Sequence, residues 1–269
     1  MGLYFRPATQ QEALEALAGR SWTVLAGATD LYPTHGDAPH EVDALDISAL
    51  HAPISRDAAY WYLPASVTWS ELLAAPLPAA FDGLKQAARQ IGGRQIQNVG
   101  TVMGNVCNAS PAADGIPCLL ALDAEVTLAS LLGVRHVPIG GFVVGPRATA
   151  RAADELAVGL RIPVRAARSV FLKLGARRYL VISIAAVALN VELAEGRIVA
   201  ARLAVGACGP VATRVAPAEA ALIGHPPDPA RLGPEMFETL APIDDIRATA
   251  AYRRAAVVTL ARRAVAALA

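Results

Sequence analysis

Apolar residues recur along this chain at two spacings, and each spacing predicts its own kind of element. Ala13, Leu14 and Leu17 fall at helical intervals within residues 10–18, and Gly19 closes that helix. Residues 22–26 then read as a buried strand running into a loop at Gly27, and residues 42–47 as a second strand with Leu50 and Ile54 near its end. A third strand spans residues 60–64, and a helix over 70–73 starts at a Thr68 cap. Residues 81–91 predict a helix stopped by Gly92 and Gly93, and residues 116–122 another. Strands follow at 125–129 and 134–138. Residues 180–192 and 198–206 form two long apolar strands expected to pair antiparallel. From Ala216 onward the chain reads helical, with Pro226, Pro227 and Pro229 in a loop.

Length turns this string of elements into domains. At 269 residues the chain exceeds most single compact cores and predicts two domains or three lobes. The stretch RAARSVFLKLG marks a change of register, and the boundary is expected between Pro163 and Ser169. Hydrophobic residues make up 54% and charged residues 17%, which excludes a disordered chain. Much of the apolar share is alanine, suited to helices packed closely on sheets. A net charge of +1 gives no footprint for nucleic acid or an anionic membrane surface. The opening MGLYFRPATQQEALEAL reads as strand and helix rather than a secretory signal. The most apolar run, residues 179–193, is shorter and more β-branched than a membrane span.

Cys107, Cys118 and Cys208 contain no CxxC pair. They fit a reducing cytoplasm and argue against a disulfide scaffold, a structural zinc site or an iron–sulfur cluster held by this chain. His35, His40, His51, His136 and His225 lack metal-ligand spacing and read as surface or loop residues. No GxGxxG, P-loop, HExxH or GxSxG motif is present. Arg253, Arg254, Arg262 and Arg263 in the last helix read as a solvated face, with Tyr252, Val257, Leu260, Val265 and Leu268 available for packing.

Two small-residue segments remain, both predicted as loops. VLAGATDL ends a buried strand in Gly27, Ala28 and Thr29, and TVMGNVCNASPAAD crowds Gly104, Asn105, Asn108 and Ser110 together. Successive backbone N–H groups with few side chains in the way form an anion nest, to which Thr29, Thr101 and Asn105 add donors. Each segment alone also fits a plain turn.

With AGATDL, QIQNVGTVMGNVCNASPAADGIPCLLALDAEVTL, SVFLKLGARR and DDIRATAAYRRAAVVTLARRA, the chain from Tyr4 to its end resembles the FAD-binding medium subunit of molybdenum hydroxylases. That family includes the flavin subunits of bacterial carbon monoxide dehydrogenase and xanthine dehydrogenase. The resemblance implies an α+β fold. A PCMH-type FAD-binding domain spans 1–165, with subdomains of about 1–55 and 56–165. A C-terminal domain, 166–269, adds a small antiparallel sheet and helices.

The resemblance also implies FAD as cofactor and names the residues that line it. Val24, Leu25, Ala26, Gly27, Ala28, Thr29, Asp30 and Leu31 make the first segment; Thr101, Val102, Met103, Gly104 and Asn105 make the second. Both are implied to hold the diphosphate. Asp114 matches an acidic position contacting the flavin nucleotide, Lys173 a lysine close to the isoalloxazine, and Ala157 a further lining position. Arg177 matches a family arginine without an assigned role. No side chain is expected to act as a catalytic acid or base, and no metal is expected on this chain.

Two positions depart from the family, which has glycines where Ala28 and Met103 stand. A side chain at either costs roughly 1 kcal/mol or more if the position requires positive φ.

The implied function is electron transfer within a complex. A [2Fe–2S] small subunit feeds the flavin, a molybdopterin large subunit hydroxylates the substrate, and an external acceptor takes the electrons. The expected assembly is a cytoplasmic dimer of heterotrimers. The chain lacks the cysteine-bearing insertion of the 4-hydroxybenzoyl-CoA reductase type. Two other readings stay open: a flavin-less assembly subunit, and a stand-alone flavoprotein oxidoreductase.

Overall fold

The computed structural model describes residues 2–31 and 42–269. His35 and His40 lie outside the described residues. Three principal sheets follow one another along the chain, giving an α+β architecture.

The first sheet is parallel: strand Ala44–Asp46 lies between Tyr4–Phe5 and Thr23–Leu25. Helix Gln10–Gly19 connects the outer two, capped by Thr9, whose side chain accepts from the Glu12 N–H. Its buried residues, Ala13, Leu14 and Leu17, are the three picked out by helical spacing. The predicted strand at 42–47 is shorter than expected. The Asp46 carboxylate accepts the Ser48 N–H at 2.9 Å and turns residues Ile47–Ala49 into a 3-10 helix.

The second sheet has five antiparallel strands, in the order Ser55–Arg56, Tyr60–Pro64, Leu156–Pro163, Glu125–Ser130, Gly133–Pro138. Helix Trp69–Ala74 leaves this sheet through a capping box between Thr68 and Glu71. The expected helix at 81–91 is a 3-10 turn, Ala79–Phe81, followed by helix Asp82–Ala88, and Gly92 at φ +55° turns the chain away.

The third sheet pairs Arg168–Leu174, Ala185–Ala194, Arg197–Gly206 and Thr213–Arg214, all antiparallel. Both of its faces are covered, which explains the unbroken apolar runs of its central strands. Ala186, Ala188 and Ala204 face the core shared with the first two sheets, while Val187, Leu189, Leu203 and Val205 face the last helix, Ala250–Ala266. Ser169 joins this sheet to residues 80–83: its hydroxyl donates to the Ala80 carbonyl and accepts the Gly83 N–H, each at 2.8 Å.

Three further expectations change. The strand predicted from residue 180 begins at Ala185, because residues 177–180 close a turn in which the Arg177 guanidinium donates to the Leu180 carbonyl. The last third is only partly α-helical. Pro229 and Pro234 open 3-10 turns between helices Ala216–Leu222 and Ala250–Ala266. Arg253 does not belong to a solvated face: it is 3% exposed and donates to the Ile184 and Ala207 carbonyls and to Asp245. Tyr252 is exposed, whereas Val257, Leu260, Val265 and Leu268 pack in the core.

Candidate functional site

A cleft of about 690 Å³ opens between the first sheet and the second. One wall is the carboxyl end of strand Thr23–Leu25 and the loop after it, with Val24, Leu25, Ala26, Gly27, Ala28, Thr29, Asp30 and Leu31 all lining the space. Ligands of parallel sheets gather at such strand ends. The opposite wall carries Thr101, Met103, Gly104 and Asn105. Ala157, at the irregular start of the central strand Leu156–Pro163, closes one side, and Trp69 lies at the bottom.

The loop wall is a nest of donors. Among the described residues, the N–H groups of Gly27, Ala28, Thr29 and Asp30 find no protein acceptor. Gly27 is required by contact rather than by conformation: a Cβ there would lie 1.8 Å from the Val99 carbonyl oxygen and 2.9 Å from the Gly100 Cα. The two walls therefore touch backbone to backbone at this point. Ala28 sits at φ +52°, so one of the two glycine replacements does fall in left-handed space. Met103 has no positive φ; its side chain is 3% exposed and belongs to the core.

The second wall is not the loop its composition predicts. Residues Val102–Asn108 form a helix, with Thr101 as its cap accepting the Gly104 N–H at 2.9 Å. A short antiparallel pairing fixes the start of this helix. The Trp69 N–H donates to the Gly100 carbonyl at 3.1 Å, and the Val102 N–H to the Val67 carbonyl at 3.0 Å. Asn105 lines the cleft, and its Oδ1 is buried without a partner. Val102 points away and is 1% exposed in the core.

Asp114 and Lys173 do not line this cleft; they meet each other. Lys173 Nζ donates to Asp114 Oδ2 at 2.6 Å and to the Val181 carbonyl at 3.1 Å, and Ser183 donates to Asp114 Oδ1 at 2.5 Å. Both charged side chains are buried, at 7% and 4% exposed. Burial raises the Asp114 pKa, and the Lys173 ammonium and Ser183 hydroxyl pull against it.

Among the described residues two arginines line the cleft, and sequence patterns marked neither. Arg147 donates to Asp30 at 2.5 Å and to the Asn108 side chain. Arg151 is spent on the backbone carbonyls of Ala152, Ala153 and Glu155. Cys107 also lines the space and is exposed; desolvation raises its thiol pKa against the pull of Arg151. Among the described residues no three His, Cys, Asp or Glu side chains converge on a metal site.

Comparison with known proteins gives this cleft its context. The family described as the FAD binding domain in molybdopterin dehydrogenase matches residues 1–165, and the CO dehydrogenase flavoprotein C-terminal domain matches residues 171–268. The xanthine dehydrogenase FAD-binding subunit of Escherichia coli O157:H7 is 28% identical over 274 residues, covering 97% of this chain and 94% of that protein. The nicotinate dehydrogenase FAD-subunit of Eubacterium barkeri is 30% identical over 236 residues, covering 83% of this chain and 80% of the relative. Among solved structures, carbon monoxide dehydrogenase from Hydrogenophaga pseudoflava superposes with a TM-score of 0.91 at 26% identity, covering 99% of this chain and 96% of that one. The chain belongs to the family of FAD-binding medium subunits of the molybdenum hydroxylases, as an oxidoreductase subunit with FAD as its cofactor.

Proposed function

We propose that FAD lies in this cleft with its diphosphate against the 27–30 loop, and that the chain serves as the electron-transfer subunit of a molybdenum hydroxylase complex. The observation that carries the reading is the run of four N–H donors from Gly27 to Asp30 that have no acceptor among the described residues, held open because Gly27 has no side chain. Backbone donors suit a buried diphosphate because they supply hydrogen bonds without a full positive charge. The partnerless Asn105 Oδ1 suits a different part of the cofactor, a hydroxyl or N–H, because an amide oxygen accepts and a diphosphate has no hydrogen to give.

FAD, when bound, supplies chemistry that accepts electrons singly or in pairs. Everything else falls to the residues of the chain. The 27–30 donors and Asn105 bind and orient, while Trp69 and Met103 exclude water from the bottom of the cleft. Asp114 and Lys173 stand outside the cleft, so their proposed place near the flavin rests on the family resemblance and not on the cleft's lining. The buried ammonium is fixed by its carboxylate and by the Val181 carbonyl rather than swinging in solvent.

Electrons are proposed to come from a [2Fe–2S] small subunit, with substrate hydroxylation on a molybdopterin-bearing large subunit and delivery to an external acceptor. The dispersion of Cys107, Cys118 and Cys208 supports placing the clusters on a partner. We assign residues 1–165 to the FAD-binding domain and 166–269 to the C-terminal domain. The assembly is proposed as a cytoplasmic dimer of heterotrimers; among the described residues no helix is long and apolar enough to cross a membrane.

The test is titration of the purified chain with FAD, followed by the flavin bands near roughly 370 and 450 nm. Gly27→Ala drives a Cβ into the Val99 carbonyl and is expected to weaken FAD at least ~tenfold, about 1.4 kcal/mol. Thr259→Ala, on the exposed side of the last helix, is expected to leave the affinity alone. Equal effects of the two substitutions would remove the diphosphate from this loop.

A further inference from the structure

Arg147 stands at the mouth of the cleft in a backbone conformation that arginine seldom takes, φ +57°. It occupies the tip of the small hairpin formed by Val143–Gly145 and Ala148–Thr149. Its N–H donates to the Ala109 carbonyl at 2.9 Å, tying the hairpin to the end of helix Val102–Asn108. Ala109 is itself left-handed, at φ +47°. Two strained residues thus aim one guanidinium across the cleft, where it reaches the carboxylate of Asp30, 117 positions earlier in the chain, and the Asn108 side chain.

Asp30 is the anomaly that this arrangement answers. It contributes the last N–H of the donor run, so its carboxylate sits on the same loop that is built to receive an anion. A carboxylate within a few ångströms of a diphosphate opposes its binding by simple like-charge repulsion. Of the two arginines lining the cleft among the described residues, Arg151 is committed to backbone carbonyls, and Arg147 is the one paired with this charge.

We propose that Arg147 is a positioning residue of the cofactor site: it neutralises Asp30, and so makes the 27–30 loop able to accept a dianionic diphosphate. This rests on the placement of the diphosphate at that loop. Arg147 acts through Asp30, and removing the arginine is harmful chiefly because it leaves the carboxylate uncompensated.

The experiment is a double-mutant cycle on the intact chain. FAD and, separately, ADP are titrated and binding is read from the fluorescence of Trp22 and Trp69, two of the three tryptophans, both in the cleft. Arg147→Ala is expected to weaken FAD and ADP by about tenfold at low salt, and by less at high salt, because the pair is half exposed and screening reaches it. Asp30→Asn is expected to tighten both ligands. Adding Asp30→Asn to Arg147→Ala is expected to recover most of the lost affinity, and Arg147→Lys, which keeps the charge, to lose far less than Arg147→Ala. A double variant no better than Arg147→Ala alone would overturn the proposal, since the arginine would then be touching ligand or merely holding the hairpin. Undiminished binding by Arg147→Ala would overturn it as well. The underlying placement is tested apart from this by Gly27→Ala: if that substitution leaves FAD binding intact, the diphosphate lies elsewhere, whatever the cycle shows.

Discussion

Ala28 holds a left-handed backbone, φ +52°, in the middle of the donor loop. For an L-residue with a Cβ that conformation costs roughly 1 kcal/mol, a cost glycine escapes. The loop keeps this shape because Gly27 beside it is pinned against residues 99 and 100. Ala28→Gly is therefore expected to stabilise the chain by up to about 1 kcal/mol, seen as a rise of ~2 °C in the thermal midpoint. An unchanged or lower midpoint would mean that the loop relaxes elsewhere. At this scale the sequence was informative where chemistry is local. Small residues at 27 and 104, with Asn105 beside the second, marked positions that line the cleft. Arg147 left no such trace, because its partner Asp30 is distant in the chain and nothing in GPRATA announces a charge pair.

The helix Val102–Asn108 shows what composition hides at the scale of an element. Glycine and asparagine are poor helix formers, so a segment containing Gly104, Asn105 and Asn108 reads as a loop. It is helical because of tertiary contacts: Val102 and Met103 are buried, Thr101 caps the first turn, and residues 67–69 pair with 100–102. The cap therefore matters to the site as well as to stability. Thr101→Ala is expected to cost about 1 kcal/mol of stability and also to weaken FAD. Thr249→Ala removes the equivalent cap of the last helix, where the Thr249 side chain accepts the Tyr252 N–H at 3.2 Å. It is expected to cost similar stability with no loss of affinity. Urea unfolding and FAD titration of the two variants separate these outcomes, and matched affinities would detach the cleft helix from cofactor binding. Elements with strong periodicity, such as helix Gln10–Gly19 and the long strand Arg197–Gly206, were legible to within a residue or so. Those shaped by prolines or by side-chain turns, as in residues 180–184 and 223–249, were not.

Across the whole molecule, the third sheet is tied to the preceding part of the chain by charges that no local pattern reveals. Asp123 lies in the turn between helix Gly115–Ala121 and strand Glu125–Ser130, at φ +50°. Three arginines converge on it: Arg165 from the connecting segment, Arg202 at 2.6 Å and Arg214 at 2.8 Å from the C-terminal sheet. Partial burial disfavours the carboxylate, but the hydrogen bonds from Arg165 and Arg202 outweigh it and hold its pKa below the ordinary 3.8. A carboxyl depressed in this way contributes its full stability above the unfolded-state value. That contribution is lost as the pH falls through that value toward the folded one. Asn keeps the side-chain shape and tolerates left-handed backbone, so Asp123→Asn removes the charge with little backbone penalty. The variant is expected to be less stable near neutral pH, with three arginines left facing one another. Its stability should also decline less steeply than that of the unsubstituted chain as the pH drops below about 4. Thermal midpoints measured from neutral pH down to about pH 3 would show the two curves converging. Parallel curves would mean that Asp123 carries no linked proton.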